Sequence, residues 1–443
     1  MSKTIAAIAT GNSVSGIGVI RISGERAIEI AQKVFKSADN TPLSSLKGYT
    51  AKFGNVYSKG EKYDNAIALV FRASKSYTGE DVVELSVHGG IFIVEKTLES
   101  VLDAGASPAE AGEFTKRAFL NGKMDLTQAE AVATLISANG QEAAKASFNL
   151  LQGSLSNKIS NVLDKIVSLS ASMAAWVDYP DEEIPELDEK TLKNTLSFAK
   201  NELKELLDNY ESGMIMTQGV NTVIAGRPNA GKSTLMNMLS GKEKSIVTHI
   251  EGTTRDIVEN SVRLGSLVLH LSDTAGLRES DDVVEAIGIK KALERIDTAS
   301  LVLAVFDSSR ELDDDDKMLI DSCKGKKAVA VINKTDLSPK INTYKIKDNF
   351  ESIVYISAKN NLGLKELETA VKNILGVEEF DSSAPLIANR RQKQCIQTAC
   401  ENINEALSAA EIGLTYDAIN VMIDSAVDEL LALTGKKATE EVV

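Results

Sequence analysis

Three textures along the chain predict a multidomain fold: an α+β N-terminal domain, an all-helical domain in two halves, and a phosphate-loop α/β domain inserted between those halves. Residues 1–120 hold short β-rich runs separated by glycine-containing turns, residues 121–213 and 380–443 are helical in pattern, and residues 214–379 alternate strand and helix. A length of 443 residues agrees with about three domains at roughly 150 residues each.

In the first segment, Ile17-Gly-Val-Ile-Arg-Ile22, Ala66-Ile-Ala-Leu-Val-Phe71 and Asp81-Val-Val-Glu-Leu-Ser-Val87 are strands by their β-branched content, and Glu110–Leu120 is a short helix. In the second, Thr127-Gln-Ala-Glu130 has the capping-box spacing of a helix start. Leu192, Leu196, Ala199, Leu203 and Leu206 fall on one helical stripe, with Ser212-Gly213 as its stop. Tyr179-Pro-Asp-Glu-Glu-Ile-Pro185 is an acidic turn. In the third, strands are expected at Val220–Ala225, Leu267–Leu271, Leu301–Phe306, Ala328–Ile332 and Ile353–Ile356, a parallel sheet with intervening helices. The run Asp313–Asp316 reads as a solvated helix start. Helical texture resumes after Asp381-Ser-Ser-Ala-Pro385. Insertion of one domain into another is easy when its termini lie close together.

Composition narrows the function. There are 49 Lys plus Arg against 63 Asp plus Glu, a formal charge of −14, which argues against broad, nonspecific nucleic-acid binding but leaves room for a local basic site. No apolar stretch approaches the roughly 20 residues that span a bilayer. The beginning of the chain lacks the pattern of an export signal. Cys323, Cys395 and Cys400 have no metal-type spacing and suggest reduced thiols in a cytoplasmic protein.

Gly226-Arg-Pro-Asn-Ala-Gly231-Lys232-Ser233 matches G-x-x-x-x-G-K-[ST] between an expected strand and an expected helix, Thr234–Leu239. Glycines let main-chain amides approach phosphate oxygens, and the helix N-terminus adds positive potential. Lys232 suits the β- and γ-phosphates, and Ser233 offers a hydroxyl to Mg²⁺. Asn229, Ala230, Gly231 and Thr234 complete the loop and first turn around the nucleotide. Asp273-Thr274-Ala275-Gly276 follows a strand, where the carboxylate suits Mg²⁺ through water and the Gly276 amide suits the γ-phosphate. Gly252-Thr-Thr-Arg-Asp256 lies where a switch loop supplies a threonine to the metal; Thr254 is favoured over Thr253. Asn333-Lys334-Thr-Asp336 and Ser357-Ala358-Lys359 each follow a strand, on the sheet edge where ligands of open α/β sheets bind. A carboxylate only accepts hydrogen bonds. Guanine presents two adjacent donors and adenine no such pair, so Asp336 implies guanine, with Asn333 and the Ala358 amide on its carbonyl side.

These strings, in this order, resemble the translation-factor-related GTPases, which implies a Ras-like P-loop domain. Leu277 stands where Ras-type proteins carry the glutamine that orients the attacking water, so another group must supply that function. Glu279, Asp281, Asp282 and Glu285 are all acidic candidates, and spacing does not choose among them.

The whole chain resembles the bacterial tRNA modification GTPases. Beside the phosphate loop, the strings that carry this are Thr4-Ile-Ala-Ala-Ile-Ala-Thr10, Val19-Ile-Arg-Ile-Ser-Gly24, Tyr77-Thr-Gly-Glu-Asp-Val-Val-Glu-Leu85, His88-Gly-Gly90, Gly112–Leu126 and Asp178–Ile184. The resemblance implies a tetrahydrofolate-binding, dimerising domain over residues 1–120, helical halves over 121–213 and 380–443, and a GTPase domain over 214–379. It implies a homodimer that works in the cytoplasm with an FAD-dependent partner enzyme and tRNA, away from any membrane. Together they would install an aminomethyl-type group, such as carboxymethylaminomethyl, on carbon 5 of wobble uridine 34, drawing the one-carbon unit from 5-formyl- or 5,10-methylene-tetrahydrofolate. By the same resemblance Arg21, Glu84 and Lys123 contact the folate, and Glu285 is the catalytic residue that orients the hydrolytic water. Asn229, Thr248, Ile250 and Thr253 hold K⁺, Thr248 also lines the nucleotide, and Ser233 and Thr254 hold Mg²⁺. GTPase domains of the dimer are expected to meet when potassium and GTP are bound. Without the resemblance, Arg21, Glu84 and Lys123 read as surface charges near strand ends.

Members of this group end in Phe-Cys-x-Gly-Lys, whereas this sequence ends Thr439-Glu-Glu-Val-Val443, and none of its cysteines matches the terminal one. A truncated tail is the expectation, which bears on tRNA modification and on the lysine that would help close the folate pocket. Two other functions compete: a switch GTPase of ribosome assembly or signalling that ignores folate, and a folate-dependent methyltransferase with a vestigial nucleotide domain. The intact phosphate and guanine strings oppose the second. Arg390, Arg391 and Lys393 form a local basic group available to tRNA, although a solvated helix face is the preferred reading.

Overall fold

The computed structural model describes residues 3–178, 188–241, 261–271 and 295–436. The chain divides into two compact units, the first mainly residues 1–129 and the second mainly residues 130–433.

The first unit is built on a seven-stranded sheet of order β3-β4-β5-β6-β2-β1-β7. Its strands are β1 (Ile5–Ile8), β2 (Ile17–Ser23), β3 (Phe35–Ser37), β4 (Thr50–Ser58), β5 (Glu61–Phe71), β6 (Val82–His88) and β7 (Ser107–Pro108). All pairings are antiparallel except β1 with β7. Alternation sorts the side chains. Ile20, Ile22, Ala66, Ala68, Val70, Val83, Leu85 and Val87 enter a core with the helices Ala27–Val34 and Ile91–Asp103. Val19, Arg21, Glu84, Ser86 and Ile67 turn to the opposite face. Lys59 and Gly60, both at positive φ (48° and 88°), join β4 to β5 in a tight hairpin turn that such backbone angles suit. The expected strands are present, and the expected helix begins at Glu113, three residues later than the sequence suggested.

In the second unit, helices from both ends of the sequence share one core. Ala131, Leu150, Ile159, Ile166, Leu192, Leu196, Ala199, Leu203 and Leu206 pack with Leu386, Ile396, Ala399, Ile403, Ile423 and Leu430. The helix Glu189–Asp208 buries the stripe the sequence predicted. Its end differs. It stops at Asp208, and a further helix, Tyr210–Gln218, runs straight through Ser212-Gly213, where the Leu386 side chain lies against Gly213. That helix ends at Gly219, whose φ of +79° suits glycine.

The capping box at the helix Leu126–Ile136 also differs. The Gln128 amide N–H donates to Asp125 Oδ1 and the Asp125 N–H to Gln128 Oε1, each at 3.0 Å, so the reciprocal pair lies two residues before Thr127 and Glu130. Glu130 instead takes the Arg391 guanidinium in a double hydrogen bond at 2.7 and 2.9 Å, and the Gln392 amide at 2.6 Å. Arg391 further donates to the carbonyls of Ala432 and Leu433. It is therefore a structural cation rather than part of a solvated basic face, and Lys393 lies over the Tyr210 ring.

Between the helical segments lies a six-stranded sheet of order β13-β12-β11-β8-β10-β9. Its strands are β8 (Val220–Ala225), β9 (Ser261–Leu264), β10 (Leu267–Leu271), β11 (Leu301–Asp307), β12 (Ala328–Asn333) and β13 (Ser352–Tyr355). All pairs are parallel except β9 with β10, an edge hairpin the sequence reading did not include. Both faces of the sheet are covered, which is why β11 and β12 are continuous buried runs. Leu303, Val305, Val329 and Val331 point into one core, and Val302, Ala304, Phe306, Ala330 and Ile332 into the other. No helix among the described residues is long and apolar enough to cross a membrane.

Because Leu196 is fully buried in the shared helical core, Leu196→Ala is expected to destabilise that core by about 2–5 kcal/mol. Urea unfolding followed by the helical circular-dichroism signal checks this; an unchanged midpoint would show that the stripe does not bear on stability.

Candidate nucleotide and folate sites

The phosphate loop connects β8 to the helix Lys232–Ser240. Its backbone turns at Gly226 (φ +158°), Asn229 (φ +59°) and Gly231 (φ +98°). The Ala230 N–H donates to the Arg227 carbonyl at 3.3 Å, closing a turn with Pro228 second and Asn229 third. Proline supplies the fixed φ of the second position, and asparagine tolerates the positive φ of the third. The Lys232 ammonium donates to the carbonyls of Gly226 and Arg227 at 2.7 and 2.8 Å. Ser233, Thr234 and Asn229 are exposed.

The strings expected to read the base meet this loop through the Asn333 side chain. Asn333, 2% exposed at the end of β12, donates from Nδ2 to the Ala230 carbonyl and accepts from the Ala358 N–H at Oδ1, each at 3.0 Å. A Cβ on Gly231 would stand 2.1 Å from Asn333 Nδ2, so glycine there is what allows the approach. Asn333 therefore ties the phosphate loop to the segment that begins at Ser357. Ser357 Oγ donates to Asp336 Oδ1 at 2.6 Å. That bond, ahead of the nearby charges of Lys359 and Lys334, holds the exposed Asp336 carboxyl below the usual carboxylate range. Lys334, at φ +63°, reaches Asp307 Oδ2 at 2.6 Å. Burial raises the Asp307 carboxyl, but the bonds from Lys334 and Ser309 outweigh it and hold it low.

The acidic run is a correction to the sequence reading. Asp313 caps the helix Asp314–Ser322 in a reciprocal box with Asp316, and Asp316 is buried rather than solvated, at 4% exposure. Arg227 of the phosphate loop, its side chain 8% exposed, bonds Asp313 and lies 3.6 Å from Asp316. Burial pushes the Asp316 carboxyl up to about 6, against the Asp313 N–H and Arg227, which favour its charge. The signal for the cap was present, acids at the first and fourth positions of the run; the Arg227 partnership was invisible in sequence.

Thr248, Ile250, Thr253, Thr254, Asp273, Thr274, Ala275, Gly276 and Glu285 lie outside the described residues, as do Leu277 and the other acids considered for the water.

In the first unit, Arg21 and Glu84 stand directly opposite on β2 and β6 and bond at 2.8 Å. The pair is partnered with itself, so neither presents a lone charge. The Arg21 guanidinium lies over the rings of Tyr77 and Phe114, at 5.5 and 5.6 Å from their centroids, two aromatic neighbours the sequence reading did not single out. Lys123 Nζ donates to the Ser74 carbonyl at 2.9 Å, on the loop that carries Tyr77. That loop is pinned by Ser23 to Thr78 and Glu80 (2.7 Å each), by Arg117 to Glu80 (3.0 Å) and by Asn121 to the Thr78 carbonyl (2.7 Å). Among the described residues, no three His, Cys, Asp or Glu side chains group as a metal site.

A glycine-cornered phosphate loop tied to the Asn333 and Ser357 strings on one edge of an open, mainly parallel sheet defines a P-loop GTPase. A family model described as "MnmE helical domain" matches residues 126–443, and one described as "GTP-binding protein TrmE N-terminus" matches residues 4–123. The chain belongs to the MnmE family of tRNA modification GTPases. Curated relatives named "tRNA modification GTPase MnmE" include that of Clostridioides difficile (strain 630), 39% identical over 446 residues, covering 100% of this chain and 97% of that protein. That of Carboxydothermus hydrogenoformans is 39% identical over 449 residues, with the same coverage. Among solved structures, the G domain of the T. maritima FeoB iron transporter is 27% identical, covers 35% of this chain and 98% of that chain, and has a TM-score of 0.26.

A folded-state Asp316 carboxyl near 6, against about 3.9 unfolded, has a clear sign. Well below about pH 4 it is protonated in both states. As pH rises toward and through about 6 the unfolded carboxyl ionises first, so the folded state loses stability over that window. Asp316→Asn removes this loss. The gap in melting midpoint, variant minus native, is expected to grow from pH 4.5 to pH 7 and then level; a flat gap would show that Asp316 ionises as a solvated acid.

Proposed function

We propose that this chain binds and hydrolyses GTP and couples hydrolysis to tRNA modification. As a homodimer in the cytoplasm, with an FAD-dependent partner enzyme, it contributes to adding an aminomethyl-type group at carbon 5 of wobble uridine 34. The observation that carries the GTP half is the Asn333 bridge, which fixes the phosphate loop against the segment bearing Ser357 and Ala358. Family membership supports the tRNA half.

Each residue has a role that its setting supports. Asp336, ionised and oriented by Ser357, accepts from the ring N–H and exocyclic amine of guanine. Lys232 exchanges its bonds to the Gly226 and Arg227 carbonyls for phosphate oxygens. The exposed Ser233 hydroxyl on the first turn of its helix would hold Mg²⁺ with Thr254. Asn229, projecting from the turn at positive φ, would hold K⁺ with Thr248, Ile250 and Thr253. When bound, such cations would supply positive charge to the phosphate oxygens on which negative charge grows as the γ-phosphate departs. Glu285 orients the attacking water in place of a glutamine at position 277. In the first unit, the Arg21–Glu84 pair, Tyr77 and Phe114 offer charge, hydrogen bonds and ring faces to a tetrahydrofolate such as the 5-formyl or 5,10-methylene form, with Lys123 steadying the loop beside them.

Asp336→Asn replaces one acceptor with a donor, so preference is expected to move from GTP to xanthosine triphosphate, with GTP affinity falling at least about tenfold while the melting midpoint holds. Nucleotide titration reads this, and retained GTP preference would remove the base-reading role. Turnover is expected to be clearly faster in potassium than in sodium at equal ionic strength, and Asn229→Ala to erase the difference; equal rates in both salts would remove the potassium reading.

A further inference from the structure

We propose that Arg227 is a positioning residue for GTP, a clamp that sets the shape of the phosphate loop from outside the nucleotide. The inference rests on the GTP reading above and goes beyond it, because Arg227 need touch neither base, phosphate nor metal.

The backbone of Arg227 does two jobs in the loop. Its carbonyl receives the Lys232 ammonium at 2.8 Å, and the same carbonyl closes the turn to Ala230. Where that carbonyl sits therefore decides where Lys232 starts. The side chain decides where the carbonyl sits. It leaves the loop, is 8% exposed, and ends on Asp313 and Asp316 at the first turn of the helix Asp314–Ser322. Those two acids are themselves fixed by reciprocal bonds to each other's main-chain N–H, at 3.0 and 3.2 Å. That helix packs through Leu319 and Ile320 into the core beneath β11 and β12. The loop is thus tied through one guanidinium to a rigid part of the sheet.

The energetics fit a positioning role better than a stabilising one. An exposed ion pair is worth little. Asp313 is half exposed, but Arg227 and Asp316 are buried together, and a buried pair costs desolvation that apolar residues of the same volume would avoid, which points to orientation. Asp316 makes the cost concrete. It is nearly fully buried, and its Oδ1 has no hydrogen-bond partner among the described residues. Removing the guanidinium takes from that carboxylate the cation that faces it among the described residues and frees the Arg227–Ala230 turn.

The test uses the full chain. Arg227→Ala is expected to raise KM for GTP and the dissociation constant of a fluorescent GDP analogue roughly tenfold, the size of one lost charge-assisted pair, with kcat within about twofold. Arg227→Lys should recover part of the loss through its charge. In a double-mutant cycle, Arg227→Ala should cost clearly less in an Asp316→Asn background than in the native one. Unchanged KM and affinity in Arg227→Ala, or losses that simply add, would overturn the clamp. If Arg227→Ala fails to fold, Asp316→Asn and Arg227→Lys carry the same comparison, and native KM in both would overturn it too. A native chain that bound no guanine nucleotide would instead bring down the GTP reading along with this one, so the two failures are distinguishable.

Discussion

A single buried carboxamide organises the nucleotide site. Asn333 spends its donor on the phosphate loop and its acceptor on the segment after β13, from its own place at the end of β12. A buried polar group left without a partner costs about 1–3 kcal/mol, so each of the three segments is held where the other two need it. Gly231 is the geometric condition for this contact, because any side chain there would collide with the amide nitrogen. The phosphate loop and the segment that bears Ala358 are thereby parts of one object, and a displacement of either is felt by the other.

The portions of the fold that could be read from the residues are those where local pattern and tertiary demand agree. Parallel strands covered on both faces are continuous apolar runs, so β11 and β12 stood out most plainly, and β8, β10 and β13 by shorter β-branched or leucine-rich stretches. The stripe from Leu192 to Leu206 stood out because one side of its helix is wholly buried. Where the two demands part, the reading slipped. Thr127 and Glu130 have the spacing of a cap, as do Asp125 and Gln128; Arg391, far away in sequence, claims Glu130 and so settles which pair does the capping. Asp313 to Asp316 looks solvated until Arg227, which follows the neighbouring strand β8, is brought against it. Ser212-Gly213 has the composition of a helix end, but a small residue there accommodates Leu386 inside a continuing helix.

The two sites differ in the same respect. The nucleotide strings are contiguous, and each carries its chemistry within a few residues. The candidate folate residues are scattered, and Arg21 finds Glu84 only through the pairing of β2 with β6. Nothing local to either residue announces the other, so resemblance was the sole guide. The aromatic rings beside Arg21 come from a loop and a helix, and the loop holds its shape through hydrogen bonds from Ser23, Arg117 and Asn121.

The shared core of the two helical segments has a consequence for biosynthesis. Leu192, Leu196 and Leu203 have their packing partners at Ile396, Ile403 and neighbouring positions, which leave the ribosome only after the whole α/β insertion has been made. At 5–20 residues per second that is a delay of roughly ten to thirty seconds. During it the first helices must keep their apolar stripe from sticking to other chains, while the insertion, whose sheet is covered on both faces by side chains of its own, is able to complete its own interior.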